Sequence, residues 1–306
     1  MRDFRFSSNI FGITSADAFV ERCRQAERLG YDTVFAPDHL GAPAPFPLLV
    51  AAANATERLR VGTLVLNVPW WNPALLAREI ATTDILTDGR LEVGLGAGHM
   101  KWEYDHAGIA WQPFGSRADR LGTAIRELER QFTADLQELP GGRSPRPLQR
   151  RGFNGSGPPL IVGGTGDRIL TIAAERADIV AVAGAYQVKG KSPGTLRLAT
   201  AAEADERIRF ARGQAGERSA GIEWHVLIQM VVQTDHRRAT AEELSAEFGP
   251  DLTVDELLET PFLLIGTVAQ MADQLLRHRD RYGFSYITVH EPYLETFAPV
   301  IERLRS

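Results

Sequence analysis

Short apolar runs recur along the chain, separated by stretches whose apolar residues fall three and four apart. Thr33–Ala36, Val61–Leu66, Leu91–Leu95, Leu160–Val162 and Ile179–Val182 are largely apolar, as in strands covered on both faces. Phe4–Ser8, Glu223–Val232 and Tyr286–Val289 bring the predicted strands to eight. Helical spacing predicts helices over Thr14–Leu29, Leu48–Thr56, Arg117–Phe132, Arg168–Ala177 and Ala201–Arg212. Others are expected over Arg238–Phe248, Val254–Leu258, Thr267–Tyr282 and Leu294–Leu304. Local signals mark several ends. Thr14-x-x-Asp17 is a candidate cap, and Gly30 a stop. Asn72-Pro73 opens a helix that Asp88-Gly89 closes. Thr267-x-x-Gln270 forms a capping box, with Gly283 as the stop.

Strand and helix alternate along almost the whole chain, which implies a parallel sheet with right-handed crossovers. Eight such units in 306 residues predict an α/β fold, a closed (β/α)8 TIM barrel, as a single domain over residues 1–306. A doubly wound open sheet is the alternative. Two irregular stretches, Thr133–Pro159 and Gly184–Thr200, exceed ordinary connections and are expected as long excursion loops that shape a pocket.

Charge narrows the partners. The net charge of −5 argues against a nucleic-acid partner. Lys101, Lys189 and Lys191 are the only lysines. Arginine suits forked contacts to carboxylate or phosphate, though coding bias explains the skew equally well. The single cysteine, Cys23, leaves no internal disulfide or cysteine-based zinc site, and its position on an apolar helix face predicts core packing. No run reaches membrane-spanning length, and MRDFRFSS lacks the apolar core of a signal peptide. A cytoplasmic protein with no membrane partner is expected.

In a parallel barrel, function gathers where the strands end. The second predicted strand runs into Pro37-Asp38-His39, the third into Asn67-Val68-Pro69-Trp70-Trp71 and the fourth into Gly96-Ala97-Gly98-His99. The fifth ends in Gly163-Gly164-Thr165-Gly166 and the last in His290-Glu291. Glycines 163, 164 and 166 let backbone N–H groups approach an anion, and the following helix adds its positive end. The same motif also serves as a plain tight turn. Gly94, Gly96 and Gly98 lack the spacing of a dinucleotide fingerprint; small residues there leave room for a planar ring. Asp38-His39 reads as a charged pair tuning an imidazole for proton transfer, or as the cap of a short turn. His99, Glu103 and His106 fall at i, i+4 and i+7, the spacing of metal ligands on one helical face, if a helix forms there. Trp70 and Trp71 are candidates for a ring pocket or for packing. His225 and Met230 belong to the barrel interior or helix layer, and His106, His236 and His278 to the solvated surface.

These motifs resemble the luciferase-like flavin and deazaflavin oxidoreductases, and within them the branch dependent on coenzyme F420. The resemblance runs from FRFSSNIFG to TVHEPYLETFAPVIERL. Its most specific parts are GYDTVFAPDHL, RVGTLVLNVPWWNPALLAREIATTDILTDGRLEVGLGAG, LIVGGTGDRILTIAAERAD and LIGTVAQMADQL. It implies a barrel, usually dimeric, that binds F420, or alternatively FMN, at its mouth and acts on a small organic substrate. It implies a non-proline cis peptide at Leu64–Val65 behind the ring, with Asn67 nearby. Asp38 and His39 would face the reactive side of the ring; Gly163, Gly164 and Thr165 would contact the cofactor phosphate. Gly98 and Trp102 would line the ring and its linker. His39 and His99 become candidates for proton transfer, with Asp38 orienting or charging His39. His290 and Glu291 become candidates for substrate contact. An FMN-dependent monooxygenase is the first alternative, followed by a metal-dependent hydrolase or isomerase and a non-catalytic flavin binder.

The chain departs from the family's sugar-phosphate dehydrogenases. His99 replaces the glutamate after the strand-4 glycines, and Leu40-Gly41-Ala42-Pro43 lacks their tryptophan. Their lysine and arginine phosphate contacts have no clear counterparts. A glucose phosphate substrate is therefore not expected.

Overall fold

The computed structural model describes residues 2–133, 157–248 and 252–306. The first half of the chain supplies β1 (Arg5–Asn9), α1 (Ala16–Arg28), β2 (Thr33–Ala36), α2 (Pro45–Ala55), β3 (Arg60–Thr63) and β4 (Leu66–Asn67). There follow α3 (Pro73–Leu86), β5 (Leu91–Gly96), α4 (Lys101–Ala107), α5 (Phe114–Thr133), β6 (Leu160–Gly164) and α6 (Asp167–Arg176). Then come β7 (Ile179–Val182), β8 (Ala185–Gln187), β9 (Leu196–Leu198), α7 (Ala201–Ala215), β10 (Glu223–Ile228) and β11 (Met230–Gln233). The chain closes with α8 (Arg237–Phe248), α9 (Val254–Glu259), β12 (Leu263–Gly266), α10 (Val268–Tyr282), β13 (Phe284–His290) and α11 (Leu294–Arg305).

The main sheet runs β3-β2-β1-β13-β10-β7-β6-β5, and Val61–Leu91 pairing between β3 and β5 closes it into the expected eight-stranded parallel barrel. The third predicted strand is interrupted. β3 and β4 are its two halves, joined through a cis peptide between Leu64 and Val65. Its helix opens on Asn72, whose side chain accepts from the N–H groups of Ala74 and Leu75.

Several expectations need correction. Ser15, not Thr14, caps α1 through the Ala18 N–H. The run Glu223–Val232 is two strands: β10 stays in the barrel, while β11 leaves it to pair with β12. Gln229 marks the break, donating its N–H to the Phe262 carbonyl at 2.8 Å. β12 went unpredicted because Leu263–Gly266 is short and merges into the Thr267 cap. Gly184–Thr200 contains an antiparallel hairpin, β8 with β9. The excursion expected over Thr133–Pro159 falls, for residues 134–156, outside the described residues. His278 is buried against Tyr282 rather than solvated. Cys23 is buried as expected, which pushes its thiol up to about 12.

The floor of the barrel holds Glu92, fully buried on β5. It accepts hydrogen bonds from Arg5, from Arg60 Nε at 2.6 Å and from the Tyr286 hydroxyl at 3.0 Å. Burial opposes its charge, but the two guanidinium groups prevail and hold the carboxyl below its ordinary value. A buried carboxylate persists only with such partners.

Burial pushes the His225 and His278 imidazoles down to about 3. In the unfolded chain each titrates near 6.5. Between these values the unfolded state binds more protons, so stability is complete above about pH 6.5 and falls as the pH drops. The expected loss is about 1.4 kcal/mol per pH unit for each histidine. Urea unfolding at several pH values checks this. His278→Phe should flatten the slope by about one proton, and an unchanged slope would contradict the assignment.

Candidate active site

A cavity of about 620 Å³ opens at the C-terminal ends of the barrel strands, well inside the range for a cofactor or small-molecule site. Leu64 and Val65 wall one side. Their placement depends on the glycines of β5. A Cβ on Gly94 would stand 2.1 Å from the Thr63 carbonyl oxygen, and one on Gly96 would stand 2.6 Å from Val65 Cγ2. The space left by these glycines is thus filled by the bulged third strand, not by a ring. Gly98 is tighter still. At φ +75°, a Cβ there would lie 2.0 Å from the Tyr104 hydroxyl and 2.5 Å from Asn67 Oδ1. Those two atoms are hydrogen-bonded at 2.5 Å.

Asp38 and His39 both line the cavity beyond β2, but they act separately. Asp38 Oδ2 accepts from the Asn67 N–H at 2.9 Å and from Trp71 Nε1 at 3.0 Å. Burial raises its carboxyl above the usual value, against the pull of those two bonds and of His39. Asp38 therefore pins the end of the third strand and does not orient the imidazole. Glu103 takes that role. Its Oε1 lies 2.8 Å from His39 Nδ1 and also accepts the Leu40 N–H at 3.2 Å. Glu103 is buried on α4, and its Oε2 has no hydrogen-bond partner among the described residues.

The His99 ring stands edge-on to His39, with centroids 5.5 Å apart. It is exposed at the mouth of the cavity. Burial, with the His39 and Arg117 charges, lowers it to about 4, so it is neutral at pH 7. The metal reading of residues 99, 103 and 106 fails on geometry. His99 precedes α4, Glu103 is engaged by His39, and His106 is exposed. Among the described residues no group of three His, Cys, Asp or Glu could hold a metal.

Gly163, Gly164, Thr165 and Gly166 line the cavity at the end of β6. Gly166 caps α6 with no side-chain bond, leaving the positive end of the helix to the cavity rim. Arg207 pairs with Asp167 in its first turn and donates to the Thr165 carbonyl at 3.2 Å, holding the loop.

The sequence profile of the luciferase-like monooxygenase family matches residues 5–285. The chain belongs to this family. Among similar proteins, an F420-dependent glucose-6-phosphate dehydrogenase of Intrasporangium calvum is 24% identical, covering 94% of each chain. The oxygenase component of a flavin-dependent trigonelline monooxygenase of Acinetobacter baylyi is 33% identical over 146 residues. That match covers 44% of this chain and about two fifths of the relative, 40%. An F420-dependent secondary alcohol dehydrogenase, solved with an F420-acetone adduct, superposes with a TM-score of 0.72 at 17% identity over 100% of both chains. A long-chain alkane monooxygenase gives 0.75 at 14% identity, over 100% of this chain and 92% of its own. These structural likenesses speak for the barrel.

In this luciferase-like protein the mouth divides in two. Asp38, His39, Leu64, Val65, Asn67, Gly98, His99 and the β6 loop, all read from sequence, gather on one side. Trp102 does not join them; at 54% exposed it lies on the outer face of α4. Glu291 is drawn away towards Arg22, 3.4 Å distant. Trp71 binds Asp38, and Trp70 packs edge-on against Tyr104, so both tryptophans brace the site from behind. The opposite side comes from β1, β10 and β13, with Asn9, His225, Gln229 and His290. Asn9 and His290 are register neighbours, and His290 Nε2 lies 3.3 Å from Gln229 Oε1. Asn9 Oδ1 and His290 Nδ1 are buried without a partner among the described residues. The glycine loop and the apolar wall of Leu64 and Val65 fit a flavin-like group with a phosphate.

Asn9 and Gln229 were not among the sequence candidates, and Glu103 was one only as a metal ligand, not as the partner of His39. The polar Gln229, within the otherwise apolar run Val226–Val232, was the available signal.

Proposed function

We propose that the protein is an F420-dependent oxidoreductase acting on a small organic substrate. The observation that carries this is the His39–Glu103 pair set beside neutral His99, in the same cavity as the β6 glycine loop. Leu64 and Val65 would support the ring, and Gly163, Gly164 and Thr165 the phosphate. A deazaflavin held there would supply two-electron hydride chemistry. His39 would exchange a proton with the substrate through Nε2, because Nδ1 is taken by Glu103. Neutral His99 would offer a second hydrogen bond at the same place. Asn9, Gln229 and His290 would orient the substrate. Their uncharged chemistry favours a substrate other than a sugar phosphate.

The match to a flavin-dependent monooxygenase favours FMN as the second reading. Anaerobic turnover separates the two. Loss of deazaflavin absorbance with an organic alcohol without oxygen, and no oxygenated product with reduced FMN in air, is the expected result. Oxygen-dependent turnover with reduced FMN would reverse the choice.

A cytoplasmic homodimer belongs to the same proposal. No helix among the described residues is long and apolar enough to cross a membrane. Leu75, Ile85 and Leu86 are exposed on α3, as expected of a face that a second copy covers. Light scattering at the dimer mass is expected, and a monomer would remove this part.

A further inference from the structure

Exposed apolar side chains gather at the cavity mouth. Nine large hydrophobic residues are exposed among the described residues, and three of them line this one cavity. They are Phe11, Phe114 and Leu196, at 41%, 48% and 40% exposure. Single exposed apolar residues are ordinary, whereas a group of them at the rim of a cavity marks a surface that a ligand covers. The three come from distant segments. Phe11 follows β1, Phe114 opens α5 and Leu196 opens β9.

This apolar collar serves two ends of the cavity. Phe114 stands at the glycine loop, where a Cβ on Gly166 would meet its ring at 3.5 Å, so it belongs to the phosphate end. Phe11 stands on the other side. Its ring is tilted over that of His290, with centroids 5.4 Å apart, and His290 meets Gln229. The Ile10 N–H donates to the Phe35 carbonyl at 2.8 Å, which seats Phe11 beside the end of β2, the strand that leads to His39. Leu196 comes from the β8–β9 hairpin. A Cβ on Gly194, two residues before it, would lie 2.8 Å from Met100 Sδ and 3.7 Å from the His99 carbonyl oxygen. Hydrogen bonds fix the hairpin there. Gln187 Oε1 accepts the Gly194 N–H at 2.8 Å, and the Val188 N–H donates to the Thr195 carbonyl at 2.8 Å. Phe11 therefore adjoins the His39 side of the mouth and Leu196 the His99 side.

We propose that the substrate is an uncharged alcohol or ketone whose apolar body, several carbons long, lies against Phe11 and Leu196. This rests on the F420-dependent reading, in which the oxygen-bearing carbon meets His39 and His99. In the oxidising direction the C–H bond breaks, its hydride passes to the oxidised deazaflavin, and the hydroxyl proton goes to His39 Nε2, leaving a ketone. The histidines hold the polar end. Each further carbon is bound by removing apolar surface, its own and the collar's, from water.

The test is calorimetric titration of the protein loaded with oxidised F420, using 2-ketones of four to ten carbons, which have no hydride to exchange with an oxidised cofactor. Affinity should rise by about 2- to 4-fold per added carbon until the collar is covered. 9-Oxodecanoate, which ends in a carboxylate, should bind more weakly than 2-decanone by about tenfold or more. Phe11→Ser with Leu196→Ser, both at exposed positions, should lower the gain to less than about 1.5-fold per carbon. An undiminished gain in the double variant would overturn the inference. So would a Kd independent of chain length in the parent protein, which would leave the collar to a second copy of the chain or another protein surface and the cofactor reading intact. Failure to load F420, seen as unchanged deazaflavin fluorescence, would overturn both.

Discussion

His39→Ala is expected to lower kcat by about a hundred- to ten-thousand-fold, while the Kd for F420 changes by less than about threefold. The separation follows from geometry. His39 contributes one ring to the cavity wall, whereas the cofactor-facing surface is spread over Leu64, Val65 and the β6 loop. Its distinctive property is a fixed imidazole. Glu103 holds Nδ1 at 2.8 Å from a side chain that is itself buried, so the other nitrogen faces the cavity in one orientation. Glu103→Gln should keep a hydrogen-bonding group at Nδ1 but hold the ring less firmly. A smaller loss in kcat, about tenfold, is expected. Full turnover by His39→Ala at saturating substrate would remove His39 from the chemistry and pass the role to His99.

Gly98→Ala is expected to destabilise the protein by about 2–4 kcal/mol and to weaken cofactor binding with it. Two costs combine. Alanine resists the φ of +75° found there. Its methyl would also enter the space between the Tyr104 hydroxyl and Asn67 Oδ1, now 2.5 Å apart, and break that buried bond. The disturbance reaches the site directly, because the Asn67 N–H is one of the two donors that hold Asp38. Urea unfolding measures the stability loss and fluorescence titration the binding loss. Unchanged stability would contradict this packing.

The barrel was legible because strands buried on both faces leave long apolar signatures, and their alternation with helices admits few folds. Interruptions were harder. Val61–Leu66 reads as one strand because its bulge comes from the peptide geometry at Leu64–Val65, not from any change in polarity. Glu223–Val232 reads as one strand because both halves are apolar, although they face different sheets. The candidate site was legible wherever chemistry stands at a strand end, as at His39, His99 and Gly163. It was not legible where partners come from distant segments. Nothing in Asp38-His39 reveals that the aspartate serves Trp71 and Asn67, or that His39 is held by a residue 64 positions away. Glu103 could be seen only as one member of a helical spacing, and α4 itself was obscured by the aromatic and charged residues around it. Trp102 shows the converse, since a residue in the right segment can face outward.

The most direct test of the cofactor assignment is a parallel titration of the apo protein with F420 and FMN. Micromolar or tighter binding of F420, with FMN weaker by about tenfold or more, is the predicted result. Tighter binding of FMN, or binding of neither, would contradict the account.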